Sequence, residues 1–325
     1  MCSNVLVTGG AGFIGSHLVD SLLRDGMNVA VIDNFDPFYD KKVKQKNVQS
    51  HANSDHYSLV EADIRNQDEV NSVFEKFRPN IVVHLAAKAG VRPSVQNPLE
   101  YADVNVTGTA HILDAAVKYK VNKVIFASSS SVYGLNEKVP FSEEDPVLQP
   151  ASPYGATKVA GEALCNSYSN CYGLPIVALR FFTVYGPRQR PDLAIHKFVK
   201  KILHGEPIPL YGDGSTSRDY TFVSDIVDGI RKAMDYEADD FNVFNLGNDR
   251  PTRLIDLVHT IEDVLGKKAQ IEWLPVQTGD VPKTWADLTK AEKVLGYRPT
   301  THLPDGIAMF KNWMEESLYE KELFT

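Results

Sequence analysis

Short apolar runs alternate with segments of helical periodicity through the first 180 residues of this 325-residue chain. The runs lie at residues 5–8, 29–33, 57–60, 81–85, 124–127 and 176–179. Runs that are apolar at successive positions are typical of parallel strands buried on both faces. Helical spacing is found at residues 13–24, 67–77, 104–119 and 154–172. This order predicts an α/β fold with a doubly wound parallel sheet of the Rossmann type and right-handed crossovers.

After about residue 181 the alternation gives way to loops rich in Pro, Gly and Arg, with shorter elements at 208–211, 220–223 and 243–246. We therefore expect a Rossmann domain at residues 1–180 and a smaller ligand-binding region at 181–325. The segment at about 223–247 could return to the main sheet. Residues 305–323 are expected to form a terminal helix.

The overall charge is acidic, with 34 Lys and Arg against 42 Asp and Glu, a net charge of −8. This balance argues against a nucleic-acid partner or an acidic membrane surface. No run of 18 apolar residues and no signal-peptide pattern occurs, so we expect a cytoplasmic protein with no membrane partner. Three cysteines, Cys2, Cys165 and Cys171, lack the spacing of a disulfide framework or a metal site, so no metal is expected.

A glycine-rich turn, Thr8-Gly-Gly-Ala-Gly-Phe-Ile-Gly15, joins the first strand to the first helix. Gly9 permits a tight turn, Gly12 allows the backbone to approach a pyrophosphate, and Gly15 allows close packing of helix and strand. A pyrophosphate would then lie at the helix N-terminus. This context makes the domain at 1–180 a candidate dinucleotide-binding domain.

Asp33 ends the second strand, 18 residues after Gly15. Its carboxylate could accept hydrogen bonds from both hydroxyls of an adenosine ribose and would repel a 2′-phosphate, which favours NAD over NADP. The alternative is a solvated turn aspartate. Other cofactor contacts are expected in the glycine turn and at the carboxyl ends of the strands, at Phe13, Ile14, Asn34, Asp63, Ile64, Leu85, Ala86, Ala87 and Lys88.

Tyr154 and Lys158 lie four residues apart at the start of a predicted helix, so both side chains project from one face. A cation beside a phenol stabilises the phenolate and lowers the pKa of the tyrosine, which would make the pair a general base. The residues 128–131 are four serines after the fifth strand, and any of them could bond a reacting oxygen. The alternative for Tyr154 and Lys158 is a surface pair on a helix.

The glycine turn, Ser128-Ser-Ser-Ser-Val-Tyr-Gly134 and Tyr154-Gly-Ala-Thr-Lys158 together resemble the extended short-chain dehydrogenases/reductases that act on nucleotide sugars. The resemblance covers nearly the whole chain. It implies that Ser129 assists Tyr154, and that Lys158 also holds the nicotinamide ribose of NAD. It further implies a homodimer formed through helices at about 99–119 and 152–172.

The resemblance also limits which nucleotide-sugar reactions are expected. Related 4,6-dehydratases have an Asp-Glu pair where this chain has Ser130 and Ser131, and UDP-glucuronate decarboxylases have a Glu there. Epimerisation at C4 of a UDP-sugar is therefore implied. The segment 180–192 resembles UDP-glucuronate 4-epimerases, which implies that Thr183 and Arg190 hold the C5 carboxylate, with Arg92 as a second basic candidate.

For the nucleotide, the resemblance implies that Tyr211 lies against uracil, Arg218 binds the diphosphate and Asp280 contacts the ribose. Gln277 stands where glucose-type epimerases often have an Arg that binds the diphosphate. The alternatives are a UDP-glucose or UDP-N-acetylglucosamine 4-epimerase, a UDP-glucuronate decarboxylase, or a nucleotide-sensing binding protein without catalysis.

Overall fold

A seven-stranded parallel sheet forms the centre of the structure. The computed structural model describes residues 3–237, 240–276 and 281–319. Its strands are β1 Asn4–Thr8, β2 Asn28–Asp33, β3 Tyr57–Glu61, β4 Ile81–His84, β5 Lys123–Ser129, β6 Ile176–Phe181, β7 Thr183–Tyr185, β8 Ile208–Tyr211, β9 Ser217–Phe222, β10 Phe241–Leu246, β11 Pro251–Arg253 and β12 Ile271–Leu274. The order across the central sheet is β3-β2-β1-β4-β5-β6-β10, so the Rossmann-type α/β fold predicted from the sequence is confirmed.

Helices cover both faces of this sheet. They are α1 Phe13–Arg24, α2 Lys41–Val48, α3 Gln67–Phe77, α4 Val91–Gln96, α5 Pro98–Ala102, α6 Gly108–Lys118, α7 Pro153–Tyr172, α8 Ala194–Leu203, α9 Val223–Asp235, α10 Leu254–Leu265, α11 Thr289–Leu295 and α12 Leu303–Tyr319. Asp103–Thr107, between α5 and α6, is π-helical, and Gln49–His51 and Ser130–Tyr133 are 3₁₀ turns. Within the described residues, no helix has the length and apolar character needed to span a membrane.

Alternate residues of the strands enter two separate cores. Val5 and Val7 of β1 pack on the face covered by α1 and α9, whereas Leu6 packs on the opposite face against α3 and α6. This period of two explains why the runs are apolar throughout, since each strand contributes to both cores.

The expectation that residues 57–60 form a strand buried on both faces is wrong. Among the described residues, β3 is the edge strand of the sheet and pairs only with β2, and Ser58, Leu59 and Glu61 are exposed. An apolar run predicts the strand but does not reveal that it lies at an edge, where one neighbour is missing.

The chain after β6 builds the other wall of the cleft and then partly rejoins the sheet. β7, β9 and β11 form a three-stranded sheet, and β8 pairs with β12. Between them, β10 pairs in parallel with β6, so residues 241–246 belong to the central sheet. β7 starts two residues beyond the end of β6, which places the second region at the carboxyl edge of the sheet, where open α/β sheets bind ligands.

Candidate functional site

A cleft of about 970 Å³ lies between the carboxyl ends of the strands and the second region. It is lined by the predicted cofactor residues Gly9, Gly12, Phe13, Ile14, Gly15, Asp33, Asn34, Asp63, Ile64, Leu85, Ala86, Ala87 and Lys88. It is also lined by the predicted catalytic and substrate residues Ser129, Tyr154, Lys158, Arg92, Thr183, Arg190, Tyr211 and Arg218. Asp280 and Gln277 lie outside the described residues.

The glycine turn is held too tightly for side chains at two of its positions. Gly9 has φ +70°, and a Cβ there would lie 2.9 Å from backbone atoms of Ala86. A Cβ on Gly15 would lie 2.2 Å from the carbonyl oxygen of Gly9. Gly15 therefore allows α1 to pack on the turn itself, while Gly12 caps α1 without a side chain, and the N-terminus of α1 lines the cleft. This cradle fits the pyrophosphate of a dinucleotide.

Asp33 also has a structural task that the sequence did not reveal. One carboxylate oxygen accepts from the amide of Ala11 at 3.0 Å and the other from the amide of Phe35 at 2.9 Å. Burial raises the pKa of this carboxyl, against the opposing influence of Lys44. Each oxygen keeps a second acceptor position, so the carboxylate can brace the glycine turn and still accept a ribose hydroxyl.

Tyr154 and Lys158 occupy the first turns of α7, which begins at a Ser152 cap. Lys158 Nζ donates to the carbonyl of Ala127 at 2.6 Å and lies 6.0 Å from the centre of the Tyr154 ring. Burial lowers the pKa of Lys158 to about 8. Burial also raises the pKa of Tyr154, more than a hydrogen bond with Ser129 and the charge of Arg190 lower it. The protein alone therefore does not produce the lowered tyrosine pKa expected from the sequence, because removal of the phenolate from water outweighs the nearby charges.

The structure distinguishes among the four serines. Ser128 donates its hydroxyl hydrogen to the buried carboxylate of Glu162, at 2.5 Å. Ser129 lies against the Tyr154 hydroxyl, and its own oxygen accepts from the amide of Ser131 at 3.2 Å. This geometry favours Ser129 as the serine that works with Tyr154.

A buried hydrogen-bond network around His84 was not predicted from the sequence. His84 bonds Thr8 Oγ1 at 2.7 Å and Thr109 Oγ1 at 3.0 Å. The Thr109 hydroxyl donates to the carbonyl of Asn105 at 2.6 Å, so its oxygen accepts from His84 Nε2. Burial lowers the pKa of His84 to about 3, so the ring is neutral.

Asn105 extends this hydrogen-bond network to Lys88 and, through Thr157, to Tyr154, both of which line the cleft. Its amide bonds the backbone N–H and carbonyl of Lys88 at 2.7 and 2.9 Å, and it donates to Thr157 Oγ1 at 3.0 Å. Thr157 in turn donates to the carbonyl of Tyr154. A polar residue inside an apolar strand, such as His84, is the sequence signal that could have revealed this network.

The guanidinium of Arg190 lies at the cleft wall with a carboxylate already beside it. Its Nε and Nη2 donate to the two oxygens of Asp192 at 3.0 and 2.7 Å, and Nη1 donates to the carbonyl of Ala89 at 3.2 Å. The same group stacks on the Phe38 ring at 4.8 Å. Within the part of the chain that the structure describes, these bonds use three of its five N–H groups, so two remain to meet a ligand. The pairing with Asp192 was not predicted.

The predicted nucleotide-binding residues Tyr211 and Arg218 line the same cleft as Arg92, the second basic candidate for the sugar carboxylate. Arg92 stacks on the ring of Tyr211 at 4.4 Å, so these two candidates form one surface. Arg218 donates to the carbonyl of its neighbour Ser217 at 2.9 Å. Arg188, close to Arg190 in sequence, instead pairs with Asp20 of α1 at 2.8 Å and does not line the cleft.

Comparisons with known proteins agree over nearly the full chain. Residues 6–310 match the family model described as GDP-mannose 4,6 dehydratase. A UDP-glucuronate 4-epimerase of Thermodesulfobacterium geofontis is 38% identical over 317 residues, 96% of each chain. A Bacillus cereus UDP-glucuronic acid 4-epimerase, solved with UDP-glucuronic acid and NAD, superimposes with a TM-score of 0.91 at 37% identity, covering 97% of this chain and 99% of that one. A UDP-glucose 4-epimerase of Thermotoga maritima, solved with UDP-glucose, gives a TM-score of 0.90 at 36% identity with the same coverage.

Proposed function

Because the chain belongs to the GDP-mannose 4,6-dehydratase family of extended short-chain dehydrogenases/reductases, we propose that it is an NAD-dependent isomerase that interconverts UDP-glucuronate and UDP-galacturonate at C4. The UDP-glucuronate 4-epimerases of T. geofontis and B. cereus support this activity. The family model's name does not fix the reaction, since Ser130 and Ser131 cannot replace the acid–base pair of a dehydratase. The observation that carries the proposal is a guanidinium, Arg190, in the same cleft as Tyr154 and Lys158.

Each catalytic residue has one task in this reaction. Bound NAD supplies a reversible hydride acceptor, so no net redox change occurs. Tyr154 Oη takes the proton of the sugar 4-hydroxyl and later returns it, and Ser129 hydrogen-bonds the same oxygen. Lys158, held on the Ala127 carbonyl, provides positive charge near the phenolate. The turn Gly9–Gly15 and Asp33 hold the dinucleotide.

Thr183 and Arg190 are assigned to the sugar carboxylate. In the 4-keto sugar this carboxylate is two carbons from the ketone, so the compound is a β-keto acid that can lose carbon dioxide. A carboxylate held by charge-assisted hydrogen bonds to Arg190 keeps its negative charge localised on oxygen, which opposes C–C cleavage. Thr183 lines the cleft at the start of β7 and adds a hydroxyl donor.

UDP-glucose is the second candidate substrate. The T. maritima relative is almost as similar as the B. cereus one, and Arg190 already has a carboxylate partner in Asp192. An enzyme that acts on a neutral sugar would need no substrate carboxylate at the guanidinium of Arg190.

The function is tested by incubating the purified protein with UDP-glucuronate or UDP-glucose and following the products by NMR. We expect UDP-galacturonate from UDP-glucuronate. Mainly UDP-pentose, or no turnover of the acid beside rapid turnover of UDP-glucose, would contradict the proposal.

Tyr154→Phe should abolish turnover while retaining NAD. Tyr236→Phe, at the end of α9 and outside the cleft, is the matched control and should remain active.

We also propose a homodimer formed by the outer faces of α5, α6 and α7. Leu99 on α5 is 85% exposed and Tyr172 at the end of α7 is 60% exposed, and apolar residues this open are candidates for an interface. Light scattering should give twice the mass of the chain, and Leu99→Asp should lower it. A monomeric wild-type protein would refute this assembly.

A further inference from the structure

A buried ion pair joins the catalytic helix α7 to strand β6. Glu162 of α7 and Arg180 of β6 form two parallel hydrogen bonds, at 2.9 and 2.8 Å. Their side chains are only 7% and 4% exposed. A buried ion pair seldom stabilises a protein more than apolar residues of similar size would. Stability alone therefore does not explain why charges occupy this position.

The ion pair is hydrogen-bonded to the end of strand β5, which also binds Lys158. Glu162 lies one helical turn after Lys158, and its Oε1 also accepts from the hydroxyl of Ser128. Ser128 stands opposite Arg180 in the β5–β6 register. The peptide carbonyl immediately before it, that of Ala127, accepts from Lys158 Nζ. One carboxylate thus joins α7, β5 and β6 where Lys158 is anchored.

Arg180 is fixed from its other side and does not reach the cleft. Its guanidinium lies 4.8 Å from the centre of the Tyr133 ring, and Tyr133 donates to Asn245 of β10 at 2.7 Å. Neither Glu162 nor Arg180 lines the cleft. Any influence of this pair on the reaction must act through neighbouring residues.

The groups that face Lys158 differ in charge. On its own helix these are Tyr154, Glu162 and Cys165; β5 contributes the Phe126 ring and the Ala127 carbonyl, and β4 contributes His84. His84 is neutral, and burial raises the pKa of the Cys165 thiol, which keeps it neutral too. Burial lowers the pKa of Lys158, and both Cys165 and Glu162 oppose this. Because burial keeps the Cys165 thiol protonated, the carboxylate of Glu162 is the negative charge that remains beside Lys158.

We propose that Glu162, held by Arg180 and Ser128, is a positioning residue that keeps Lys158 protonated and seated on the Ala127 carbonyl. It touches neither cofactor nor substrate. The proposal rests on the proposed function only for its assay, which can use whichever UDP-sugar the wild-type enzyme turns over. If the protein does not epimerise UDP-glucuronate, the proposed role of Glu162 is therefore not contradicted and is tested with the sugar that the enzyme does use.

The test is the pH profile of kcat in Glu162→Gln, which preserves the shape but removes the charge. We expect the alkaline limb, where Lys158 loses its proton, to move at least about half a pH unit lower, with KM nearly unchanged and NAD retained. Glu162→Asp, which keeps the charge, should restore most of the wild-type limb. A Glu162→Gln profile that superimposes on the wild-type profile would overturn the proposal.

A matched control and a second variant complete the test. Glu262 of α10 is also buried and bonded, to Lys268 and the amide of Ala269, but lies away from the cleft. Glu262→Gln should keep the wild-type limb. If Glu162→Gln does not fold, Ser128→Ala removes one tie and keeps both charges. It should lower kcat at least threefold without changing KM, and a wild-type kcat would refute the positioning role.

Discussion

Replacing Arg190 with alanine should separate acidic from neutral substrates. Charge-assisted hydrogen bonds contribute about 1.5–3 kcal/mol each, and a substrate carboxylate would make up to two with the N–H groups that Asp192 and Ala89 leave open. The change also leaves Asp192 unpaired at the cleft wall, where it repels an anion. We expect kcat/KM for UDP-glucuronate to fall by roughly 10²–10³, about 3–4 kcal/mol, and that for UDP-glucose to change less than about threefold.

Variants of Asp192 separate the two effects of Arg190→Ala, which are the loss of hydrogen bonds to the substrate carboxylate and the repulsion of that carboxylate by unpaired Asp192. Asp192→Ala frees the fork of Arg190, so KM for UDP-glucuronate should fall a few-fold. In the double variant the unpaired carboxylate is gone, and kcat/KM should recover about tenfold relative to Arg190→Ala. Initial rates on both substrates, with NAD content and thermal melting as controls for folding, complete the cycle. Equal losses on both sugars, or a wild-type rate on UDP-glucuronate in Arg190→Ala, would refute the reasoning.

Two further predictions concern the scaffold. Gly15→Ala forces a Cβ to within 2.2 Å of the Gly9 carbonyl, so the variant should lose bound NAD and about 1–3 kcal/mol of unfolding free energy; wild-type NAD content and urea midpoint would contradict this. His84 has a pKa of about 3 when folded against 6.5 in the free side chain. The unfolded chain therefore takes up its proton first, so the contribution of His84 is complete above pH 6.5 and falls by up to about 1.4 kcal/mol per pH unit below it. His84→Gln should flatten the urea stability curve between pH 6.5 and 4, and an unchanged slope would exclude this role.

The sequence predicts the central sheet well because burial on two faces leaves a strong pattern. The strands β1, β2, β4, β5 and β6 are all apolar runs that lie inside the sheet. The edge strand β3 has a similar run but is half exposed, because its position depends on pairing rather than on composition. The glycine turn can also be predicted from the sequence, since the spacing of its glycines reflects direct backbone contacts.

The polar arrangements of the site were harder to predict. Glu162 is four residues from Lys158 on helix α7, but its partner Arg180 is in strand β6. The acceptor of Arg190 is only two residues away, yet their pairing depends on the conformation of a loop. Sequence spacing identifies side chains on one helix face, whereas contacts between elements depend on the packed fold.

The return of β10 to the central sheet limits how this protein could be divided or recombined. The six residues of β6 are all buried, and one of its backbone edges is satisfied by a strand that follows some 60 residues later. A fragment ending at residue 180 would present that edge as an open template for other chains. Exchanging substrate specificity between relatives would therefore require grafts on both sides of residues 223–246, with this segment kept native, instead of a single fusion after β6.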